Sequence, residues 1–137
     1  MKKGEASSSY PANCPPPDAK PMGGTFYRLT NGKLKVDEVS KPNDWILPYK
    51  KNMGACAGKA DSCGCHAHSL FSDLDDIIAA GHMSPWVRSK SVGAIEVGPG
   101  DGDLVNSPSQ QGASHHDWWP SRDIDPSECV IVREKNG

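Results

Sequence analysis

The chain has 137 residues, of which 36% are hydrophobic and 23% are charged, which is enough apolar material for one modest core. Fifteen lysines and arginines against seventeen aspartates and glutamates give a net charge of −2, and no basic stripe is visible, which argues against nucleic acid as the main partner. No apolar stretch follows Met1-Lys2-Lys3, and no run of about 18 apolar residues occurs elsewhere, so we expect neither a signal peptide nor a membrane partner.

The number and spacing of the cysteines indicate whether the protein belongs to an oxidising or a reducing compartment. There are five of them, and an odd, unevenly spaced set is a poor framework for disulfides. We therefore expect reduced thiols, and a soluble protein of a reducing compartment such as the cytoplasm.

The N-terminal segment, residues 1–23, is rich in serine and proline and includes Ser7-Ser8-Ser9 and Pro15-Pro16-Pro17. It holds too few apolar side chains to offset the entropy of ordering it, so we expect a flexible or polyproline-like arm. Residues 24–137 are then expected to form a single α+β domain.

The first element of the domain is a predicted β-hairpin. Thr25–Thr30 and Lys33–Asp37 flank Asn31-Gly32, a dipeptide typical of two-residue hairpin turns. In that register Leu29 faces Leu34, and Arg28 lies on the opposite face of the hairpin, where it could cover a site.

The next stretch is predicted to be mainly loop. Pro42 and Pro48 prevent a long helix over Val39–Met53, where Trp45 could anchor a short helical turn. Residues 54–64 are small and glycine-rich and predict a loop.

One helix is clearly indicated, after a short predicted strand over Cys65–Phe71. Ser72 is the expected N-cap, with Asp75 completing a capping box. Gly81 is the expected C-terminal stop. The buried stripe of this helix is expected to consist of Leu74, Ile77 and Ile78.

Three later strands complete the predicted fold. Lys90–Val97 is the best of them, Asp103–Asn106 is a short return strand after the turn at 98–102, and Cys129–Val132 reads as a buried closing strand. The predicted class is α+β: a small twisted, mostly antiparallel sheet with one main helix packed on one side.

Cysteines and histidines cluster just before the helix, and thiolate and imidazole are the ligands that zinc prefers. The candidate ligands are Cys56, Cys63, Cys65, His66 and His68. The spacing between paired zinc ligands is not the usual one. A zinc site, a redox pair and a glycine-rich loop with reduced cysteines all remain open.

The most unusual stretch is 107–120, which we interpret as a long loop of turn-forming and small polar residues. It ends with the candidate ligand-binding residues His115, His116, Trp118 and Trp119, and Asp117 lies between them. Histidine can act as acid or base near neutral pH, and an indole can stack on a flat ring. The alternative is a loop pinned to the core by the two tryptophans.

Three separate positions resemble the NAD-dependent ADP-ribosyltransferases: Phe26-Tyr27-Arg28 in the first strand, Ser69 after a central strand, and Glu128 near the last strand. In that family a first-strand arginine or histidine holds NAD and a late glutamate supports ribosyl transfer. The resemblance implies these roles for Arg28 and Glu128. The family's Ser-Thr-Ser motif is replaced by His68-Ser69-Leu70, and no Glu-x-Glu or Gln-x-Glu turn precedes the last strand.

Three functional hypotheses follow. The first is a non-catalytic binding domain, of regulator or inhibitor type, that contacts another protein through 107–120. The second is a small enzyme acting on a nucleotide-like ligand such as NAD, with His115 or His116 as acid or base and with Arg28 and Glu128 as further candidates. The third is a zinc-stabilised module.

Overall fold

The structure is a computed structural model, and it describes residues 10–109 and 112–135. Seven strands form one sheet in these residues, and all the pairings between them are antiparallel. They are β1 (Lys20–Pro21), β2 (Gly24–Thr30), β3 (His68–Phe71), β4 (Ser91–Val97), β5 (Gly102–Asn106), β6 (His115–Pro120) and β7 (Val130–Arg133), in the spatial order β1-β5-β6-β3-β2-β4-β7. The expected α+β class with a mostly antiparallel sheet is confirmed at this level.

Helices are few in the described residues. The main helix is α1 (Leu74–Met83), followed by the single turn α2 (Pro85–Arg88). Short 3₁₀ turns occupy Pro42–Trp45, Pro48–Lys50, Cys63–His66 and Pro126–Glu128, so the turn expected at Trp45 is confirmed. No helix in this part of the chain has the length and apolar character needed to cross a membrane.

Successive side chains of each strand point to opposite faces of the sheet, and apolar side chains form a core on both faces. On one face Phe71 and Val92 pack against Ile77 of α1. On the other face Phe26 and Trp118 belong to a larger cluster that is covered by coil and turn residues rather than by a helix. This larger cluster comprises Phe26, Leu70, Ile95, Val97, Leu104, Trp118 and Cys129, with Met22, Trp45 and Ile124 packed on it.

The junction between β2 and β3 is the weak point of the sheet. All seven residues of β2 pair with β4, whereas β2 and β3 share only the pair Tyr27 and Phe71. Beyond that pair the two strands diverge, and this gap positions the site described below.

Helix α1 differs from the prediction at both ends. Its N-cap is Asp73, not Ser72, because the Asp73 carboxylate accepts a hydrogen bond from the Asp75 N–H. The helix also continues through Gly81, whose carbonyl oxygen accepts a hydrogen bond from Arg88. Because Arg88 satisfies the Gly81 carbonyl oxygen, the helix does not need to end at Gly81 with a residue in the left-handed conformation. Ile77 is buried, and the rest of the expected stripe, Leu74 and Ile78, is half-buried.

The predicted hairpin at Asn31-Gly32 is wrong. Residues 33–37 form no strand, and the neighbours of β2 are β3 and β4. Gly32 is required for another reason: a Cβ there would lie 2.0 Å from the carbonyl oxygen of Ser89. The glycine permits a close backbone approach and does not mark a two-residue turn.

The remaining strands agree with the prediction only in part. Lys90–Val97 is confirmed as β4, and the return strand near 103–106 exists as β5 but pairs with β1 and β6 rather than with β4. The strand expected over Cys65–Phe71 covers only its last four residues. The closing strand β7 is not buried throughout, since Val130 and Val132 are exposed at the sheet edge while Ile131 is buried.

The expectation of reduced cysteines is wrong for four of the five. Cys14 is bonded to Cys63 and Cys56 to Cys65, while Cys129 is free and buried. Disulfides of this kind are typical of oxidising environments, so they contradict the basis on which a reducing compartment was expected.

Part of the predicted flexible arm is docked on the domain. Cys14 joins it covalently to Cys63, the Tyr10 hydroxyl donates to the carbonyl oxygen of Pro120 at 2.6 Å, and β1 pairs with β5. Residues 10–23 are therefore tied to the sheet. Residues 1–9 lie outside the described residues.

Candidate functional site

The segment 107–120 is not a loop throughout, because its second half is the inner strand β6, between β5 and β3. Trp118 is 0% and Trp119 3% exposed. Their indole N–H groups donate to the carbonyl oxygens of Asp101 (3.2 Å) and Cys63 (3.0 Å). Both tryptophans are therefore core residues with satisfied polar atoms, and the expected contact surface loses its aromatic side chains.

The two histidines of β6 bond to their own segment. Nδ1 of His116 lies 2.7 Å from the carbonyl oxygen of Ser114, and Nδ1 of His115 lies 3.0 Å from both oxygens of Ser107. Neither residue lines any of three cavities that the described residues form. The structure does not bring these histidines together with Arg28 in one pocket.

A cleft of about 370 Å³ opens where β2 and β3 diverge. Its walls come from both strands, from the coil and turns between them, and from α2 with the residues that follow it. The lining residues are Arg28, Leu29, Thr30, Asn43, Asp44, Ile46, Pro48, Lys51, Ala67, His68, Ser69, Phe71, Trp86 and Lys90.

Arg28 is held at the centre of this cleft. Its Nε and Nη2 donate to the carbonyl oxygen of Asp44 (3.1 and 2.6 Å), and its Nη1 donates to that of Ser69 (3.0 Å). The guanidinium lies 4.4 Å from the ring centroid of Trp45, which fixes its plane by a cation–π contact. Arg28 thus spans the gap that the two strands leave open.

Arg28 makes no hydrogen-bonded ion pair with a carboxylate in the described residues. The backbone carbonyl of Asp44 accepts from it, while the Asp44 carboxylate accepts from the N–H groups of Asn31 and Lys41 and acts on Arg28 only as a nearby negative charge. Burial lowers the pKa of Arg28 to about 10, although the Asp44 charge opposes this, so the group is still cationic at neutral pH. A buried cation that is not directly paired is unfavourable, which makes this position suited to an anionic ligand.

Two lysines add to the positive charge. The pKa of Lys51 is lowered, first by burial and then by repulsion from Arg28 and Lys90. Lys90 lies 5.0 Å from the ring centroid of Trp86, which is 60% exposed at the cleft. The cleft therefore combines three cations with an accessible indole.

His68 completes the inner wall. It is buried, and its Nδ1 has no hydrogen-bond partner. Burial, and after it the charges of Arg28 and Lys51, hold the pKa of His68 well below its ordinary value, so the ring is neutral at pH 7. His68 and Ile46 also line a second cavity of about 480 Å³, which continues toward Tyr10 and Arg122.

The residues that resemble ADP-ribosyltransferases do not all lie at the cleft. The Arg28 guanidinium contacts Ser69, but Glu128 does not line the cleft, and its carboxylate is held by Arg122 at 2.8 and 3.0 Å. The carboxylate nearest Ser69 across the strands is that of Asp117, its partner in β6, which does not line the cleft either. Directly opposed residues share one face of a sheet, with Cβ atoms about 4.5–5.5 Å apart.

The expected zinc ligands are engaged elsewhere. Cys56, Cys63 and Cys65 are all in disulfides and offer no thiolate to a metal. His66 stacks on Tyr49 with ring centroids 4.2 Å apart, and its Nε2 contacts the carbonyl oxygen of Ala60 at 2.7 Å. Over residues 10–109 and 112–135, no group of three or more histidine, cysteine and acidic side chains could hold a metal ion.

Sequence reasoning missed Lys51, Lys90 and the pairing of Ser69 with Asp117. Neither lysine gives a local sign in the sequence that it faces β2. Comparison of this chain with protein-family models, with curated proteins and with solved structures finds no significant match.

Proposed function

We propose that the cleft between β2 and β3 binds an anionic, nucleotide-like ligand, and that the protein is a small enzyme acting on that ligand. The observation that carries this proposal is the buried guanidinium of Arg28, which lines a cavity and is hydrogen-bonded to backbone carbonyls instead of a carboxylate in the described residues. An anion placed there would neutralise a charge that otherwise costs folding free energy.

The composition of the cleft favours a phosphate joined to a flat ring. Arg28, Lys51 and Lys90 supply positive charge on more than one side of the cavity. Phosphate oxygens are matched by a planar guanidinium, and lysine adds a mobile point charge. The exposed indole of Trp86 offers a stacking surface for a base.

The reaction we propose is that of the family the sequence resembles, transfer of ADP-ribose from NAD. Arg28 would hold the phosphates beside Ser69, and we assign no residue to the role of the family's glutamate, because neither Glu128 nor Asp117 lines the cleft. In the step itself the bond between ribose C1′ and the nicotinamide nitrogen breaks, and its electron pair leaves with nicotinamide. An acceptor hydroxyl or water then bonds to C1′ and gives up its proton. A carboxylate near C1′ stabilises the positive charge that develops on the sugar.

Binding is tested by titrating the oxidised protein with ADP-ribose in a calorimeter at fixed salt. Arg28→Gln and Lys51→Gln should each weaken binding by at least about ten-fold, because each removes a charge-assisted contact in a partly desolvated site. Lys35→Gln is the matched control, since Lys35 is exposed and does not line the cleft. Equal affinity for all three variants, or no binding by the wild type, would refute the proposal.

Catalysis is tested by nicotinamide release from NAD. The wild type should release nicotinamide, and Arg28→Gln should need a higher NAD concentration to reach half of its maximal rate, because the guanidinium binds the phosphates. Glu128→Gln should leave turnover unchanged, since its carboxylate lies outside the cleft. No nicotinamide release by the wild type would refute the proposed reaction, and loss of turnover in Glu128→Gln would refute the placement of its carboxylate.

The hypothesis of a regulator or inhibitor that binds another protein stays a separate proposal. It would need a contact surface other than Trp118 and Trp119, because both are buried. It gains support if the cleft binds neither ADP-ribose nor inorganic pyrophosphate.

A further inference from the structure

We propose that the ligand cleft is assembled only while the two disulfides are intact, so that the oxidised protein binds its ligand and the reduced protein releases it. This regulation rests on the proposed function of the cleft. The argument concerns residues 51–66, named here the cysteine loop.

The cysteine loop and the residues next to it form one wall of the cleft. Pro48 and Lys51 line the cavity where the loop begins, and Ala67, His68 and Ser69 line it directly after the loop ends. The position of Lys51 therefore depends on how the loop is held, whereas His68 and Ser69 are also held by the pairing of β3 with β6. Lys51 supplies a charge to the cavity, and Ser69 accepts a hydrogen bond from Arg28.

Little apart from the disulfides holds residues 51–64, whereas the last two residues of the loop, Cys65 and His66, are buried. In residues 51–64 every side chain is exposed except those of Cys56, Ala57 and Cys63, which are half-buried. Few hydrogen bonds join this part of the loop to the rest of the described chain, among them those of the Lys51 N–H to Pro48, the Gly58 N–H to Tyr49 and the Trp119 Nε1–H to Cys63. A glycine-rich segment with so few apolar contacts has a low cost of local unfolding.

Both disulfides end on the same short turn. Cys63 is bonded to Cys14 of the N-terminal arm, and Cys65, two residues on, is bonded to Cys56 within the loop. One bridge thus closes the loop on itself, and the other fastens its end to the arm. Without them, ordering Lys51 and the loop beside it would require several residues to lose backbone entropy on binding.

The chemistry is ordinary thiol–disulfide exchange with a dithiol reductant. A reductant thiolate attacks one sulfur of a bridge and forms a mixed disulfide. Its second thiol then displaces the remaining cysteine, leaving two cysteine thiols and an oxidised, cyclic reductant. Cys14 and Cys63 are half-buried whereas Cys65 is buried, so the Cys14–Cys63 bridge is the more accessible to attack. An oxidising compartment keeps the cleft assembled, and a reducing one dismantles it.

The test is calorimetric titration of the wild type with ADP-ribose, before and after treatment with dithiothreitol, together with circular dichroism and a melting curve. We expect binding by the oxidised protein, and binding at least about ten-fold weaker after reduction, because residues must then be ordered by the ligand. The sheet and helix signals should persist, since both core clusters lie outside the cysteine loop.

Variants separate the two bridges. The pair Cys14→Ser with Cys63→Ser, and the pair Cys56→Ser with Cys65→Ser, should each weaken binding without any reductant. The protein with all four serines is the matched control, since dithiothreitol should change nothing in it. If these variants do not fold, the reduced wild type still decides the question.

Each outcome is informative. Equal affinity in the oxidised and reduced wild type, or tighter binding after reduction, overturns the redox inference and leaves the proposed function standing. Loss of the whole fold on reduction also overturns it, because the bridges would then serve folding and not regulate the cleft. If the oxidised protein fails to bind ADP-ribose, the proposed function itself has failed.

Discussion

The two disulfides allow a sharp stability prediction, because they close loops of very different length. Cys14 and Cys63 are 49 residues apart, and Cys56 and Cys65 are 9 apart. In the chain-entropy description, removal of the longer bridge should cost about 4.1 kcal/mol and removal of the shorter one about 2.7 kcal/mol. The difference, about 1.4 kcal/mol, follows from the logarithm of the ratio of the loop lengths and does not depend on the constant term.

The measurement is urea unfolding of the two paired serine variants and the wild type, with the free energy in water taken from the linear extrapolation. The Cys14→Ser with Cys63→Ser variant should be the less stable of the two. If its free energy of unfolding equals or exceeds that of the Cys56→Ser with Cys65→Ser variant, loop closure is not what this bridge contributes. The account of residues 10–23 as a docked segment would then be refuted.

Further predictions concern the elements that differ from the sequence-based expectation. Asp73→Ala should cost about 0.5–2 kcal/mol in urea unfolding and Ser72→Ala much less, and the reverse order would restore Ser72 as the cap. Trp118→Ala should cost about 3–5 kcal/mol, against under about 1 kcal/mol for His115→Ala, and similar costs would contradict the buried indole. His68 has a lowered pKa in the folded state, so the unfolded chain binds its proton first as the pH falls below the ordinary value of 6.5. Stability should therefore fall by up to about 1.4 kcal/mol per pH unit between that value and the lower folded pKa, and His68→Gln should flatten this slope. An unchanged slope in His68→Gln would contradict the buried neutral ring.

Local signals predicted those parts of the fold that local physics determines. Helix α1 was found from the spacing of its apolar residues, and β4 from its alternation. The prediction of a hairpin at Asn31-Gly32 is wrong because the glycine serves another purpose. It leaves room for the carbonyl oxygen of Ser89, a residue far along the chain. Such a contact leaves no trace in the neighbouring sequence.

The prediction that 107–120 is a loop throughout is wrong for a related reason. Its glycine, proline and serine residues are typical of a loop, and they precede a strand in which two adjacent tryptophans are both buried. Burial of both breaks the alternation that normally identifies a strand with one exposed face. The disulfides were missed because an odd number of cysteines does not indicate which of them pair.

The resemblance indicated two residues of the candidate site: Arg28, in the first strand, and Ser69, after a central strand. The carboxylate was assigned to Glu128 from its position in the sequence, whereas strand order decides which carboxylate lies beside Ser69. Lys51 and Lys90 could not have been identified, because neither carries a local sign that it faces Arg28.

The single shared pair between β2 and β3 divides the sheet into two panels, β1-β5-β6-β3 and β2-β4-β7. Along that seam the panels are joined by the Tyr27 and Phe71 pair and by the guanidinium of Arg28, which reaches from one panel to the other. The width of the seam is therefore controlled by one side chain more than by a ladder of backbone bonds. A ligand that contacts Arg28 acts on the bond that holds the two panels at their present separation.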